Sequence, residues 1–239
     1  MCYFFLISHF KIQYPPTVLE LEIVDENKEF IVVNKMSGLI SEKSPYEDCT
    51  VETQVLNHLL KSKLNPYIGV IHRLDRVTSG VLVFAKRKKV LVAFNELFSS
   101  RKVQKTYLAI VKIKPQKDKE KLTNFLVKNN LEKRADIALL KSKETLECSL
   151  SYRVLGKNDF GYLLEIKPTT GRFHQIRAQL AHIGLPIIGD EKYGSDEKYF
   201  PLSICLHAWK LSYEVPSSNT LNTYEAPLPK NSFWDFAGV

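Results

Sequence analysis

Six short runs rich in β-branched and aromatic residues constrain this chain most: EFIVVNK (29–35), SGVLVFAK (79–86), KTYLAIVKI (105–113), ECSLSYRVL (147–155), YLLEIKP (162–168) and ICLHAWKLSYEV (204–215). Each has strand length, and the first stops at Ser37-Gly38, where a turn belongs. Three stretches between them carry helical period instead. TVETQVLNHLL (50–60) sets Val51, Val55, Leu59 and Leu60 at helical spacing behind Thr50 as N-cap, and KKVLVAFNELFSS (88–100) does the same with Val90, Phe94, Leu97 and Phe98. A third helix is predicted from about Arg172 to Gly184, with Phe173, Ile176, Leu180 and Ile183 as its apolar stripe and Arg172, Gln175 and Gln179 on other faces. Strands and helices interleave without the regular alternation of a parallel α/β fold. The pattern therefore predicts an α+β fold, its central sheet mainly antiparallel and flanked by helices and loops.

Composition removes several classes of protein. Apolar residues make up 44% of the 239, enough for a packed core. Cys2, Cys49, Cys148 and Cys205 are far apart and form no Cys-x-x-Cys pair, so unpaired thiols in a reducing compartment are expected. The opening MCYFFLI has no basic leader and runs into His9 and Lys11, which reads as a buried strand and not as a signal peptide. No run approaches the ~18 apolar residues of a membrane span. The expected location is the cytoplasm, with no membrane partner.

The net charge of +8 suits a polyanionic partner, and it is concentrated. Residues 86–143 hold seventeen Lys and Arg against five Asp and Glu, a net +12. Within them, proline and charge interrupt the apolar pattern over 112–134, which reads as a flexible loop, an insertion, or an arm lying along a polyanion.

The segment IHRLDRVTSG (71–80) places Asp75 between Arg73 and Arg76, ahead of a Thr-Ser-Gly turn. Two readings are open: a surface turn with neutralised charges, or a carboxylate kept ionised for chemistry by neighbouring positive charge. An anionic nucleophile or base fits those surroundings better than a general acid, whose raised pKa they would oppose. His174 and His182 are eight apart and no ligand-spaced cluster occurs, so no metal is expected. Phosphate-cradling glycine loops are absent, which removes the best sign of a nucleotide cofactor. The kinase His-Arg-Asp loop fails too, because Asp75 falls one position late and no Asp-Phe-Gly follows.

Four segments in order, HRLDRVTSGVLVFAK (72–86), KTYLAIV (105–111), TTGRFHQIRAQLAHIGLPIIGDEKYG (169–194) and LHAWKLSY (206–213), closely resemble the RluA-like pseudouridine synthases of RNA. EIVDENKEFIVVNKMSGL (22–39) and TYEAPLP (223–229) look like that family's opening strand and closing segment, so the likeness runs from about 20 to 230. The resemblance implies a single pseudouridine synthase catalytic domain over 1–239, without the S4-type N-terminal domain of some relatives. It also implies an enzyme that isomerises uridines in ribosomal or transfer RNA, as a monomer and with no cofactor.

By the same resemblance, Asp75 matches the aspartate that attacks the target nucleoside. Tyr107 matches the aromatic that stacks on the base and assists proton changes, and Arg177 the arginine that pairs with the aspartate. Arg73 matches a position beside the flipped nucleotide, and Ile176 lines the uracil pocket. Arg172 and Gln175 either contact RNA or cap the turn. Extruding a stacked base costs about a few kcal/mol, and stacking on an aromatic ring returns ~1–3 kcal/mol. Met36, Phe173 and Arg76 depart from the family pattern at positions outside the implied chemistry. The alternative on the same fold is an RNA-binding protein without turnover.

Overall fold

The computed structural model describes residues 20–214 and 220–237, so the strand expected at MCYFFLI lies outside the described residues. The strands are β1 (Ile23–Glu26), β2 (Phe30–Lys35), β3 (Gly69–Val70), β4 (Ser79–Ala85), β5 (Val103–Val111), β6 (Lys119–Asn129), β7 (Arg134–Ala138), β8 (Leu146–Lys157), β9 (Tyr162–Pro168), β10 (Leu206–Glu214) and β11 (Leu221–Glu225). The helices are α1 (Val51–Leu60), α2 (Lys88–Ser99) and α3 (Gln175–His182). All the strands join one sheet in the order β1-β2-β4-β10-β5-β9-β8-β6-β7, with β3 added to β4 and β11 to β10. Only β4 and β10 pair in parallel among these strands, so the mainly antiparallel α+β expectation holds.

Strand β4 is buried along its whole length, because both faces are covered. Its period of two sends Val81, Val83 and Ala85 into a cluster with Val90 and Phe94 of α2, while Leu82 and Phe84 pack with Val51, Val55 and Leu59 of α1. The two helices thus clamp the strand that follows the Asp75 loop. Helix α1 starts as expected, with Thr50 Oγ1 accepting from Thr53 N at 3.1 Å. Among the described residues, Cys148 and Cys205 are free thiols, and no helix is long and apolar enough to cross a membrane.

Two sequence expectations are corrected. The third helix begins at Gln175, not near Arg172, because the preceding turn is held by side-chain bonds and His174 adopts a left-handed φ of 51°. Phe173 is consequently 47% exposed and stacks on the His174 ring instead of joining the apolar stripe. The stretch 112–134 is not a flexible loop, since β6 runs through its middle with Leu122 and Leu126 buried.

The parallel join of β4 to β10 requires Gly80. It has φ +115°, and a Cβ there would come within 2.2 Å of the Ala208 carbonyl oxygen. Beside it Ser79 Oγ meets His207 Nδ1 at 2.8 Å, while His207 Nε2 reaches the Ala226 carbonyl at 3.4 Å. Nε2 donates to that carbonyl, so Nδ1 accepts from the hydroxyl and the imidazole is neutral. Burial agrees, bringing its pKa down to about 4. Gly80→Ala should destabilise the protein by about 3 kcal/mol or more, because strain and overlap with backbone add. Urea unfolding measures this, and a change below about 1 kcal/mol would mean that the β4–β10 join tolerates a side chain.

Candidate active site

The loop between β3 and β4 carries Asp75 to the wall of a cleft of about 590 Å³. Facing it are Tyr107 of β5, the turn that leads into α3, and the segment 40–44. This loop is held on both sides of Asp75. Ser41, itself buried, donates its hydroxyl to Leu74 O at 2.9 Å and accepts from Leu74 N at 3.0 Å. On the other side, Arg76 O accepts from Gly38 N at 2.8 Å and from Lys35 Nζ at 3.1 Å. Thr78 N closes the turn onto Asp75 O at 3.1 Å.

Lys35 is a lysine with 1% exposure at the end of a β-branched strand. Its three donors are satisfied by backbone carbonyls, those of Met36 and Leu39 at 2.9 and 2.7 Å in addition to Arg76. Burial lowers its pKa to about 7, while the charge of Asp75 works in the other direction.

The Asp75 side chain is 27% exposed, and its Oδ2 lies 3.3 Å from Arg177 Nη1. Burial raises its pKa, and Arg177 and Lys35 oppose the rise. Arg177 has a second and closer acid. Its Nε and Nη2 fork onto the two oxygens of Asp190 at 2.6 and 2.8 Å, and Asp190 is only 1% exposed. The guanidinium also lies 5.0 Å from the centre of the Tyr193 ring.

His174 completes the support. Arg177 Nη1 donates to His174 Nε2 at 2.9 Å, so Nδ1 carries the proton and faces Tyr193 Oη at 3.0 Å. Tyr193 Oη in turn donates to Ala135 O at 3.0 Å and accepts from Ala135 N at 2.9 Å. Burial, then the Arg177 charge, lowers the imidazole pKa to about 3. The 3.6 Å approach of His174 to Asp75 is thus a contact of a neutral ring with a carboxylate.

The structure brings Asp75, Tyr107 and Arg177 to one cleft, with Arg73, Ile176, Arg172 and Gln175 along it. Burial and the Asp75 charge push the Tyr107 phenol well above its ordinary pKa. Arg73 is 70% exposed and pairs with Glu42 at 2.5 Å. Arg172 is exposed, its Nε donating to Glu147 O at 3.3 Å. Ile176 is buried in the main core at the cleft wall.

Gln175 serves the turn. Its Oε1 accepts from Thr170 Oγ1 and Arg172 N at 2.7 and 3.1 Å, and its Nε2 donates to Ser149 O and Gln179 Oε1 at 3.0 and 3.1 Å. Sequence reasoning missed Asp190, Lys35, Ser41 and the supporting place of His174. Only Lys35 left a local sign, a charge closing a buried β-branched run. Among the described residues no three His, Cys, Asp or Glu side chains gather as a metal site requires.

Residues 29–182 match the family model described as RNA pseudouridylate synthase. The chain is 34% identical over 220 residues to tRNA pseudouridine synthase C of Vibrio parahaemolyticus, covering 84% of this chain and 87% of that one. Ribosomal large subunit pseudouridine synthase D of Borreliella burgdorferi is 31% identical over 225 residues, covering 90% and 67%. Human RNA Pseudouridylate Synthase Domain Containing 1 superposes with a TM-score of 0.75 at 26% identity, over 93% of this chain and 89% of that one. With strands β2 to β9, all three helices and the Asp75 loop inside residues 29–182, the chain belongs to the RNA pseudouridylate synthases, in their RluA-like branch.

Proposed function

We propose that the protein converts uridine to pseudouridine in transfer or ribosomal RNA with Asp75 as nucleophile, on a nucleotide turned out of its stack. The observation that supports this most is the pairing of Asp75 with an Arg177 already fixed by Asp190. A guanidinium shared by two carboxylates cannot fully neutralise Asp75, yet it holds the anion in one orientation inside a closed wall.

The carboxylate attacks the nucleoside and the bond from ribose C1′ to N1 breaks. The base then turns, C5 bonds to C1′ as the carboxylate is released, and the proton on C5 is surrendered while N1 gains one. Atoms balance without any second reactant. Tyr107, its phenol holding its proton, supplies a stacking face and a hydrogen-bond donor instead of a resting phenolate base. Ile176 forms the apolar floor beneath the base. Arg73 leaves Glu42 to occupy the gap in the RNA, and Arg172 contacts its backbone, with Gln175 shaping the turn that presents Arg172. The exposed Lys119 and Lys121 of β6 extend the basic surface along which RNA lies. In this reading one catalytic domain works as a cytoplasmic monomer with no cofactor or metal.

Asp75→Asn should lower pseudouridine formation in cellular RNA by at least about a thousandfold while leaving RNA affinity within a few-fold. Equal product from native and variant protein would remove Asp75 from the chemistry. No product from the native protein on any cellular RNA would favour a binding protein on the same fold.

Ser41→Ala should lower kcat about tenfold with KM unchanged, because the peptide before Asp75 loses its clasp, and Ser41→Thr should restore it. A fall in thermal stability with kcat intact would make Ser41 merely structural.

The working form of Asp75 is the anion and its pKa is raised above the ordinary 3.8, so single-turnover rates should fall as pH drops through that raised value. Imidazoles with pKa values near 3 at His72 and His174 should add no inflection near 6.5. An inflection there that disappears in His174→Asn would show that this ring is protonated in the working enzyme.

A further inference from the structure

The cations around the cleft are matched one by one, with one exception. Arg177 has Asp190 and Asp75, Lys35 has three carbonyls, Arg73 has Glu42 and Arg172 has the Glu147 carbonyl. Lys105 lines the same cleft and is half-buried, and its ammonium has neither a hydrogen bond nor an ion pair among the described residues. Burial lowers its pKa with no carboxylate pulling the other way, and its charge in turn helps to keep His72 neutral. A half-buried cation without a counter-charge is unfavourable in the free protein. It becomes favourable when a ligand brings the anion.

Position says which anion. Lys105 and Tyr107 are two residues apart on β5, so both project from the same face, about 7 Å apart along the strand. That is the scale on which a sugar separates a base from its own phosphate. The Lys105 ammonium also lies against the turn that carries Arg172, since a Cβ on Gly171 would be 3.1 Å from Lys105 Nζ. The missing side chain of Gly171 is what leaves the ammonium room.

We infer that Lys105, with the Gly171–Arg172 turn beside it, forms a subsite for the phosphodiester of the target nucleotide, anchoring its backbone next to Asp75. The inference rests on the cleft being an RNA site. Arg172 reaches the subsite from an exposed position, whereas Lys105 supplies a desolvated charge from the floor, where a single contact is least screened.

The test uses the full chain and a uridine-containing RNA bound by the native protein, titrated between about 50 and 200 mM salt. Lys105→Met should weaken binding about tenfold at the lower salt and make the logarithmic salt slope shallower by about 0.7–0.9, the value of one lost phosphate contact. Lys105→Arg should retain both affinity and slope. Gly171→Ala keeps every charge but displaces the ammonium, so it should weaken binding with the protein still folded. Native affinity and slope in Lys105→Met would overturn the subsite, as would a loss confined to kcat. If the native protein makes no pseudouridine yet Lys105→Met loses the slope, the subsite stands and the catalytic reading fails.

Discussion

Arg177 is fixed from below, its Nε and Nη2 forked onto Asp190 at 2.6 and 2.8 Å, and the orientation of Asp75 depends on that fork. Without Asp190 a guanidinium on α3 would follow Asp75 wherever the loop moved. With Asp190 buried beside it, Arg177 offers Nη1 to Asp75 at a fixed point. Removing one member of such a buried group typically costs about 3–5 kcal/mol, because a charge is left unmatched. His174 and the Tyr193 ring close the remaining sides of the guanidinium, so it has little freedom to turn.

The Asp75 loop is fixed from the backbone side as well. Ser41 spends both functions of one hydroxyl on Leu74, and Lys35 spends one of its three donors on Arg76 O. A carboxylate whose two flanking peptides are tied down loses little further freedom on reaching a transition state, which is where positioning contributes most. Neither of the arginines that flank Asp75 in the chain supplies its charge partner. Arg73 pairs with Glu42 and Arg76 with Glu47, and both pairs tie the segment 36–50 to the loop from outside.

The strands legible in the sequence were those whose two faces differ simply. EFIVVNK and SGVLVFAK are buried runs with glycine or serine at their ends, and α1 and α2 show their apolar faces and, for α1, its Thr50 cap. Strand β6 was hidden because its buried face is interrupted by Asn124, whose polarity is absorbed by Gln179 at 2.8 Å, while Lys119, Lys121 and Thr123 break the apolar pattern of the other face. The start of α3 was misplaced for a similar reason: Gln175 looks like a surface residue but occupies a buried position by bonding at both ends of its amide. Asp75, Tyr107 and Arg177 could be named from a resemblance. Asp190, Ser41 and Lys35 could not, since their partners are backbone groups or side chains that only the folded chain brings near.

Register is what turns these local fixings into one site. Ala208 of β10 pairs with Gly80 on one side and with Tyr107 on the other, and Tyr107 pairs onward with Ile166, which faces Tyr152. One row across the sheet therefore sets the level of the strand leaving the Asp75 loop, of the Tyr107 ring, and of the strand leading to the turn before α3. Because side chains alternate with period two, a slip of one residue between β5 and β10 would carry Tyr107 to the opposite face and Lys105 with it. The register shift in β10 between Ala208 and Lys210 falls immediately beside this row, so the strand changes its alternation only after the site level is fixed. Gly80 is then more than a permissive turn residue: it lets β4 approach β10 closely enough for a loop and two strands distant in sequence to share one plane.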